Sequence, residues 1–323
     1  MKILITGGAG FIGSNLAATL LQDERVSMVR VLDNLATGSL SNIESFNKNE
    51  RFQFLEGDIR DYNKCLEACN DIDLISHQAA LGSVPRSIAD PLTTNDVNVT
   101  GTLNIFNAAK EKNIKRVVYA ASSSTYGDHP GLPKEEDKIG NPLSPYAVTK
   151  YVNELYARVY STVYGLQLIG LRYFNIFGPY QNPNGPYAAV VPLFAEALLN
   201  HQPPVINGDG SNSRDFTYVD NAVQANILSL FTDNKEAINQ VYNIACGEQT
   251  SLLELFEYLR QHSGSNLKPV FGPNRKGDVK HSLADISKAK SLLNYHPSVS
   301  VKEGLKKTFD WYKENFNQLK STN

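Results

Sequence analysis

Apolar residues fall in short runs of strand length, separated by turn residues and by longer stretches of helical periodicity. That alternation is the one expected of strands and helices wound into a parallel sheet. Lys2-Ile3-Leu4-Ile5-Thr6 reads as a buried strand that breaks at Gly7-Gly8-Ala9-Gly10-Phe11-Ile12-Gly13 and continues as a helix through Leu21. A second strand, 27–32, ends at Asp33, and a third, 52–55, leads into Gly57-Asp58-Ile59. Residues 74–80 read as a fourth strand and 98–112 as a helix. The strand that follows, 117–121, delivers Ser122-Ser123-Ser124. A long helix then runs to Tyr164, where Gly165 supplies a left-handed stop, and 166–171 is again a strand. Right-handed crossovers between such strands give a Rossmann-type, doubly wound α/β fold.

The texture changes after Arg172-Tyr173-Phe174-Asn175-Ile176-Phe177-Gly178-Pro179, and between Gln181 and Pro186 the chain is rich in Asn, Pro and Gly. Beyond it come a helix at 190–200, the turn Asn207-Gly208-Asp209-Gly210, and helical patterns at 252–262, 286–293 and 301–316. We expect a dinucleotide-binding domain over 1–175, with a returning segment near 217–246. Residues 176–216 and 247–323 form a smaller C-terminal α/β lobe for the substrate.

Composition narrows the function classes. Thirty-one basic against 33 acidic residues give a formal charge of -2, with no basic stripe for nucleic acid. Cys65, Cys69 and Cys246 are too few and too dispersed for a disulfide framework or a metal site, so free core thiols in a reducing compartment are expected. No run of about 20 apolar residues suits a membrane span, and a soluble, cytoplasmic protein is the expectation.

Candidate chemistry begins at the glycines. Gly8, Gly10 and Gly13 fit one dinucleotide template and Gly7, Gly10 and Gly13 another; both bring backbone N–H groups to a pyrophosphate at a helix N-terminus. Asp33, about 20 residues on, suits the ribose hydroxyls and repels a 2′-phosphate, which favours NAD over NADP. Asp58 stands where an adenine amino group is read, or is an acidic turn residue; His77 reads as a satisfied core histidine. Tyr146 and Lys150, four residues apart, share a helix face. An ammonium there favours the phenolate, drawing the tyrosine down from about 10 towards neutrality as an acid/base group. The serines lie at a strand's C-terminal edge, where such sheets bind ligands.

Taken together, the glycine turn, Asp33, the serine run, Tyr146 with Lys150, and Arg172-Tyr173-Phe174-Asn175 resemble the extended short-chain dehydrogenase/reductases acting on nucleotide sugars. The resemblance spans almost the whole chain and is strongest to the UDP-hexose 4-epimerases, especially the bacterial subgroup interconverting UDP-N-acetylglucosamine and UDP-N-acetylgalactosamine. It implies NAD held by Gly7, Gly10, Phe11, Ile12, Gly13, Asp33, Asn34, Asp58, Ile59, Gln78, Ala79, Ala80 and Tyr173, with Tyr146 as base and Lys150 on the nicotinamide ribose. Ser122, Ser123 and Ser124 would contact sugar and cofactor. Gly82, Ser83, Asn175, Gln181, Ala189 and Val190 would line the sugar site, and Asn207, Arg214, Arg275 and Asp278 would grip the nucleotide. Ser282 matches the position bordering the sugar's C2 substituent, where a small residue admits an N-acetyl group.

Related activities stay open at this point. Nucleotide-sugar 4,6-dehydratases place Asp and Glu at the positions of Ser123 and Ser124, and UDP-glucuronate decarboxylases carry an acid at the second. A 4-epimerase of a UDP-N-acetylhexuronic acid depends on whether a basic group meets the C6 carboxylate, and an NAD-sensing binding protein would use the same fold. Family resemblance, with apolar Leu155 and Val159 opposite the catalytic face, implies a homodimer pairing the long helix and the 98–112 helix.

Overall fold

The computed structural model describes residues 1–183, 188–273 and 280–321, with side chains through Phe316. Arg275 and Asp278 lie outside the described residues. Seven parallel strands form the main sheet, in the order Val241–Ile244, Gln167–Tyr173, Arg116–Ser122, Leu74–His77, Lys2–Thr6, Met28–Asp33 and Phe52–Glu56. Strand alternation splits the core into two layers. Ile3, Ile5, Val118 and Ile169 pack on one face with the helices Phe11–Leu20 and Val219–Phe231, while Leu4, Val117, Tyr119 and Leu168 pack on the other. The second layer is closed by the helices Tyr62–Ala68, Gly101–Glu111 and Pro145–Tyr164. Both faces are therefore covered, as a parallel sheet requires.

Smaller pairings build the substrate side. Val205–Asn207 runs parallel to Val270–Gly272, and Ser213–Arg214 antiparallel to Thr250–Ser251. Ile176–Phe177 pairs with Thr217–Tyr218. The helices Val190–Leu199, Leu252–Ser263 and Val301–Ser321 pack against one another around these short ladders.

Three local departures from the sequence reading have physical reasons. The fourth strand stops at His77, because the chain must open at Gln78 to Ala80 to leave room above the glycine turn. The helix expected at 98–112 begins with a π-type turn, Asp96–Thr100, before regular geometry from Gly101 to Glu111. The helix Val219–Phe231 went unread because polar Asn221, Asn226 and Ser229 are buried with its apolar residues, which erases the amphipathic stripe.

Candidate active site

Strand order reverses beside Lys2–Thr6, whose neighbours are Met28–Asp33 and Leu74–His77, and the crevice beyond that strand end is where such sheets bind ligands. Gly7 turns the chain there with φ of 69°, and a Cβ on it would stand 2.7 Å from the Ala79 backbone. A Cβ on Gly13 would fall 2.2 Å from the Gly7 carbonyl oxygen. Gly8 packs on Val31 instead, so of the two glycine registers it is Gly7, Gly10 and Gly13 that face the cavity. The helix Phe11–Leu20 starts behind Gly10 with no side-chain cap, leaving its first N–H groups for a ligand.

That cavity, about 600 Å³, is also walled by Phe11, Ile12, Asp33, Asn34, Asp58 and Ile59. Asp33 is 8% exposed and accepts hydrogen bonds from Ala9 N at 2.9 Å and Leu35 N at 2.8 Å. Burial raises its pKa against those bonds. Asn34 donates to Asp58 at 2.7 Å, and Asp58 pairs with Arg60 at 2.7 Å, which holds its carboxyl at about 2. A close-approach glycine turn, free helix N–H groups and a rim carboxylate fit a dinucleotide.

At the far end stand Tyr146 and Lys150. Ser144 caps their helix by accepting from Ala147 N at 3.2 Å, Pro145 occupies the first turn, and Gly165 ends it at φ of 71°. Lys150 is 4% exposed and donates to Ala120 O at 2.8 Å, with its ammonium 5.9 Å from the centre of the Tyr146 ring. Burial pushes Tyr146 above the ordinary phenol range, opposed by a hydrogen bond with Ser122. Neither of these influences comes from Lys150, whose ammonium is engaged at the strand edge; its expected pull on the phenol belongs to the mechanism proposed below. Lys150 itself is lowered to about 8 by burial. Ser124 Oγ donates to Ser122 Oγ at 2.9 Å, so two of the three serines and Tyr146 form one hydroxyl chain.

Residues behind the wall fix its polar groups. Gln78 and Tyr173 face the cavity; Tyr173 Oη donates to Gln78 Oε1 at 3.1 Å, and Asn226 Nδ2 donates to Tyr173 Oη at 2.7 Å. Asn226 Oδ1 in turn accepts from Gln78 Nε2 at 3.0 Å and Ser76 Oγ at 3.1 Å. Asn226 lies on the helix absent from the sequence reading, and nothing in its surroundings there signals the role. His77 is held between Thr6 and Thr102 and pushed down to about 3 by burial, a neutral core histidine as expected. Ala79 and Ala80 are small and complete the floor.

A second chamber, about 640 Å³, opens on the other side of Ser122 and Ser123. Ser124, Asn175, Arg214 and Ser282 line it, as does Lys134, which no sequence motif had marked. Val84, Pro85, Ile88 and Leu143 form an apolar wall. Gly82, Ser83 and Gln181 lie on the first cavity, and Asn175 borders both. Ala189, Val190 and Asn207 surround an adjoining space of about 260 Å³ that Arg214 also reaches.

Asp215 organises this side. It is fully buried and its carboxylate accepts from Cys246 N and Gly247 N, each at 3.0 Å, and from Ala284 N at 3.2 Å. Burial lifts it to about 7 against those bonds. Arg214 donates to Lys280 O at 3.1 Å, and Ser282 N donates to Ser213 O at 3.1 Å, so both chamber residues hang beside that carboxylate. Among the described residues no three of His, Cys, Asp and Glu converge as a metal site, and no helix is long and apolar enough to cross a membrane.

Known proteins are similar to this chain over nearly its whole length. Residues 4–308 match the family model described as GDP-mannose 4,6 dehydratase. A putative UDP-glucose 4-epimerase of Methanocaldococcus jannaschii is 38% identical over 97% of this chain and 99% of its own. A solved UDP-N-acetylglucosamine 4-epimerase of Methanobrevibacter ruminantium, in complex with UDP-N-acetylmuramic acid, is 40% identical with a TM-score of 0.92, covering 97% of this chain and 98% of its own. A UDP-glucuronic acid 4-epimerase of Bacillus cereus, solved with UDP-glucuronic acid and NAD, is 35% identical with a TM-score of 0.90 over 97% and 99% of the two chains. With the family model matched over most of its length and relatives of this identity covering nearly all of it, the chain belongs to the extended short-chain dehydrogenase/reductase family of nucleotide-sugar 4-epimerases and dehydratases.

Proposed function

We propose that the protein is an NAD-dependent 4-epimerase of UDP-N-acetylglucosamine and UDP-N-acetylgalactosamine, with weaker action on UDP-glucose and UDP-galactose. The observation carrying this reading is that Ser122 and Ser123 border both cavities and Tyr146 lines the first, with hydroxyls and, among the described residues, no carboxylate on the chamber wall. Dehydration or decarboxylation needs an added acid or base there, and Ser123 and Ser124 provide neither. NAD, when bound, supplies a reversible hydride acceptor for the sugar C4.

The chain's own groups do the rest. Gly7, Gly10 and Gly13 with the helix start hold the pyrophosphate, Asp33 the adenosine ribose, and Lys150 the nicotinamide ribose. As the phenolate, which Lys150 and Ser122 favour, Tyr146 takes the 4-hydroxyl proton and becomes the neutral phenol, and with the C4 hydride passed to the acceptor that NAD would supply the product is a 4-keto sugar. Rotation of that sugar within the wide chamber presents its other face, and Tyr146 returns the proton. Arg214 and Asn207 grip the diphosphate and uridine, as would Arg275 and Asp278, while segments 176–216 and 247–323 carry the nucleotide sugar. Ser282, on the chamber wall, leaves space for the N-acetyl group.

Leu155 and Val159 are 44% and 50% exposed on the helix that carries Tyr146, which supports a homodimer through that face. Purified protein incubated with UDP-N-acetylglucosamine and no added cofactor should form UDP-N-acetylgalactosamine. A 4-keto-6-deoxy product, or strict dependence on added NADPH, would overturn the reading.

A further inference from the structure

The chamber beside the serines is lined by two cations and, among the described residues, by no carboxylate. One cation, Arg214, belongs with the diphosphate in the reading above. The other, Lys134, is 5% exposed, and burial lowers its pKa with no opposing charge acting on it. Its ammonium donates to the His129 carbonyl oxygen. An ammonium has three donors. Among the described residues no acidic group pairs with it.

A buried lysine without a carboxylate is unfavourable unless something in the site offsets its desolvation. The backbone at Lys134 is held firmly. Lys134 N donates to Leu283 O at 2.7 Å, and Lys134 O accepts from Asp285 N at 2.9 Å and from Asn243 Nδ2 at 2.8 Å. These bonds fasten it to the segment that begins at Ser282, beside the position assigned to the sugar's C2 substituent. A fixed cation with no carboxylate beside it among the described residues, on the sugar side of a diphosphate grip, is a recognition point for an anion on the sugar.

We propose that Lys134 reads a carboxylate on the sugar, so that acidic UDP-N-acetylhexosamines are substrates or tight ligands of this chamber. The proposal rests on the epimerase reading for its chemistry, but the binding point stands on the chamber alone. Two sugar classes carry such a group: a hexuronate, oxidised at C6, and a 3-O-carboxyalkyl ether. A charge-assisted contact replacing a neutral one is expected to favour the acid by about tenfold or more.

The test compares UDP-N-acetylglucosaminuronate, UDP-N-acetylmuramate and UDP-N-acetylglucosamine on the native protein, by kcat/KM and by calorimetric Kd. At least one acid should exceed the neutral sugar by about tenfold, and the one that does identifies the carboxylate position. Lys134→Met should lower the acid-to-neutral ratio by about tenfold, and Lys134→Arg should restore part of it. Should Lys134→Met fail to fold, the methyl ester of the preferred acid replaces it, and must bind the native protein about tenfold more weakly than the acid. Neutral sugar epimerised with neither acid preferred, an unchanged ratio in Lys134→Met, or equal Kd for acid and ester would overturn the proposal. No turnover of any sugar, with the acid preference intact in calorimetry, would instead sink the epimerase reading and leave Lys134 standing.

Discussion

The two cavities meet at Ser122 and Ser123 but are built on different principles. The dinucleotide side starts from main chain: a glycine turn, a helix start, and strand ends with small residues, with its glycines and Asp33 inside one βαβ unit. Its specificity comes from close approach, and the Gly7 carbonyl oxygen standing 2.2 Å from a Cβ on Gly13 shows how little room remains. The sugar side gathers single side chains from Val84 to Ser282, positioned by long-range contacts centred on Asp215 and Asn243. A site of the first kind tolerates little change; a site of the second kind retargets by one substitution.

The contrast can be broken in order of effect. Tyr146→Phe, at the junction, should retain NAD and UDP binding yet lose roughly 10²- to 10⁴-fold in kcat, measured with saturating substrate. Near-native turnover would remove the phenol from the chemistry. Gly13→Ala should cost about 1 to 3 kcal/mol on the dinucleotide side through overpacking, a roughly 5- to 150-fold weaker NAD Kd, with UDP affinity little altered. An equal loss at both sites would show that the cavities do not separate as described. Ser282→Tyr acts on the other side: kcat/KM for UDP-N-acetylglucosamine should fall by about one to two decades, and that for UDP-glucose far less. Equal losses would reject Ser282 as the gate. The smallest effect is with pH. Lys150 is lowered by burial to about 8, so its cation is present below that pH and lost above it. NAD affinity should therefore decline as pH rises through 8, and Lys150→Met should remove the dependence.

Legibility in sequence followed the same divide. Gly7, Gly10, Gly13 and Asp33 are contiguous in a strand-turn-helix-strand unit, so local pattern sufficed to place them on one cavity. Tyr146 and Lys150 were readable because helix geometry puts positions four apart on one face. Spacing does not reveal that the Ala120 carbonyl accepts from the Lys150 ammonium. Lys134, Asp215 and Asn226 carried no pattern at all. Their roles depend on partners 31 to 151 positions away, as with Asp215 and Cys246 or Lys134 and Asp285. Such contacts arise only once the sheet has formed.

The Asp215 carboxylate also links heat resistance to occupancy. It joins the segment carrying Arg214 to Cys246 and Gly247, immediately beyond the edge strand Val241–Ile244, and to Ala284 beyond Ser282. On the proposed reading, a nucleotide sugar that holds Arg214 and Ser282 bears through that carboxyl group on the edge strand of the main sheet as well. Ligand binding only to the native state adds RT ln(1 + [L]/Kd), about 2.7 kcal/mol at a hundredfold excess over Kd. On that reading part of the increment reaches the last strand of the sheet through one buried carboxyl group, and protection of the edge against fraying should rise with substrate.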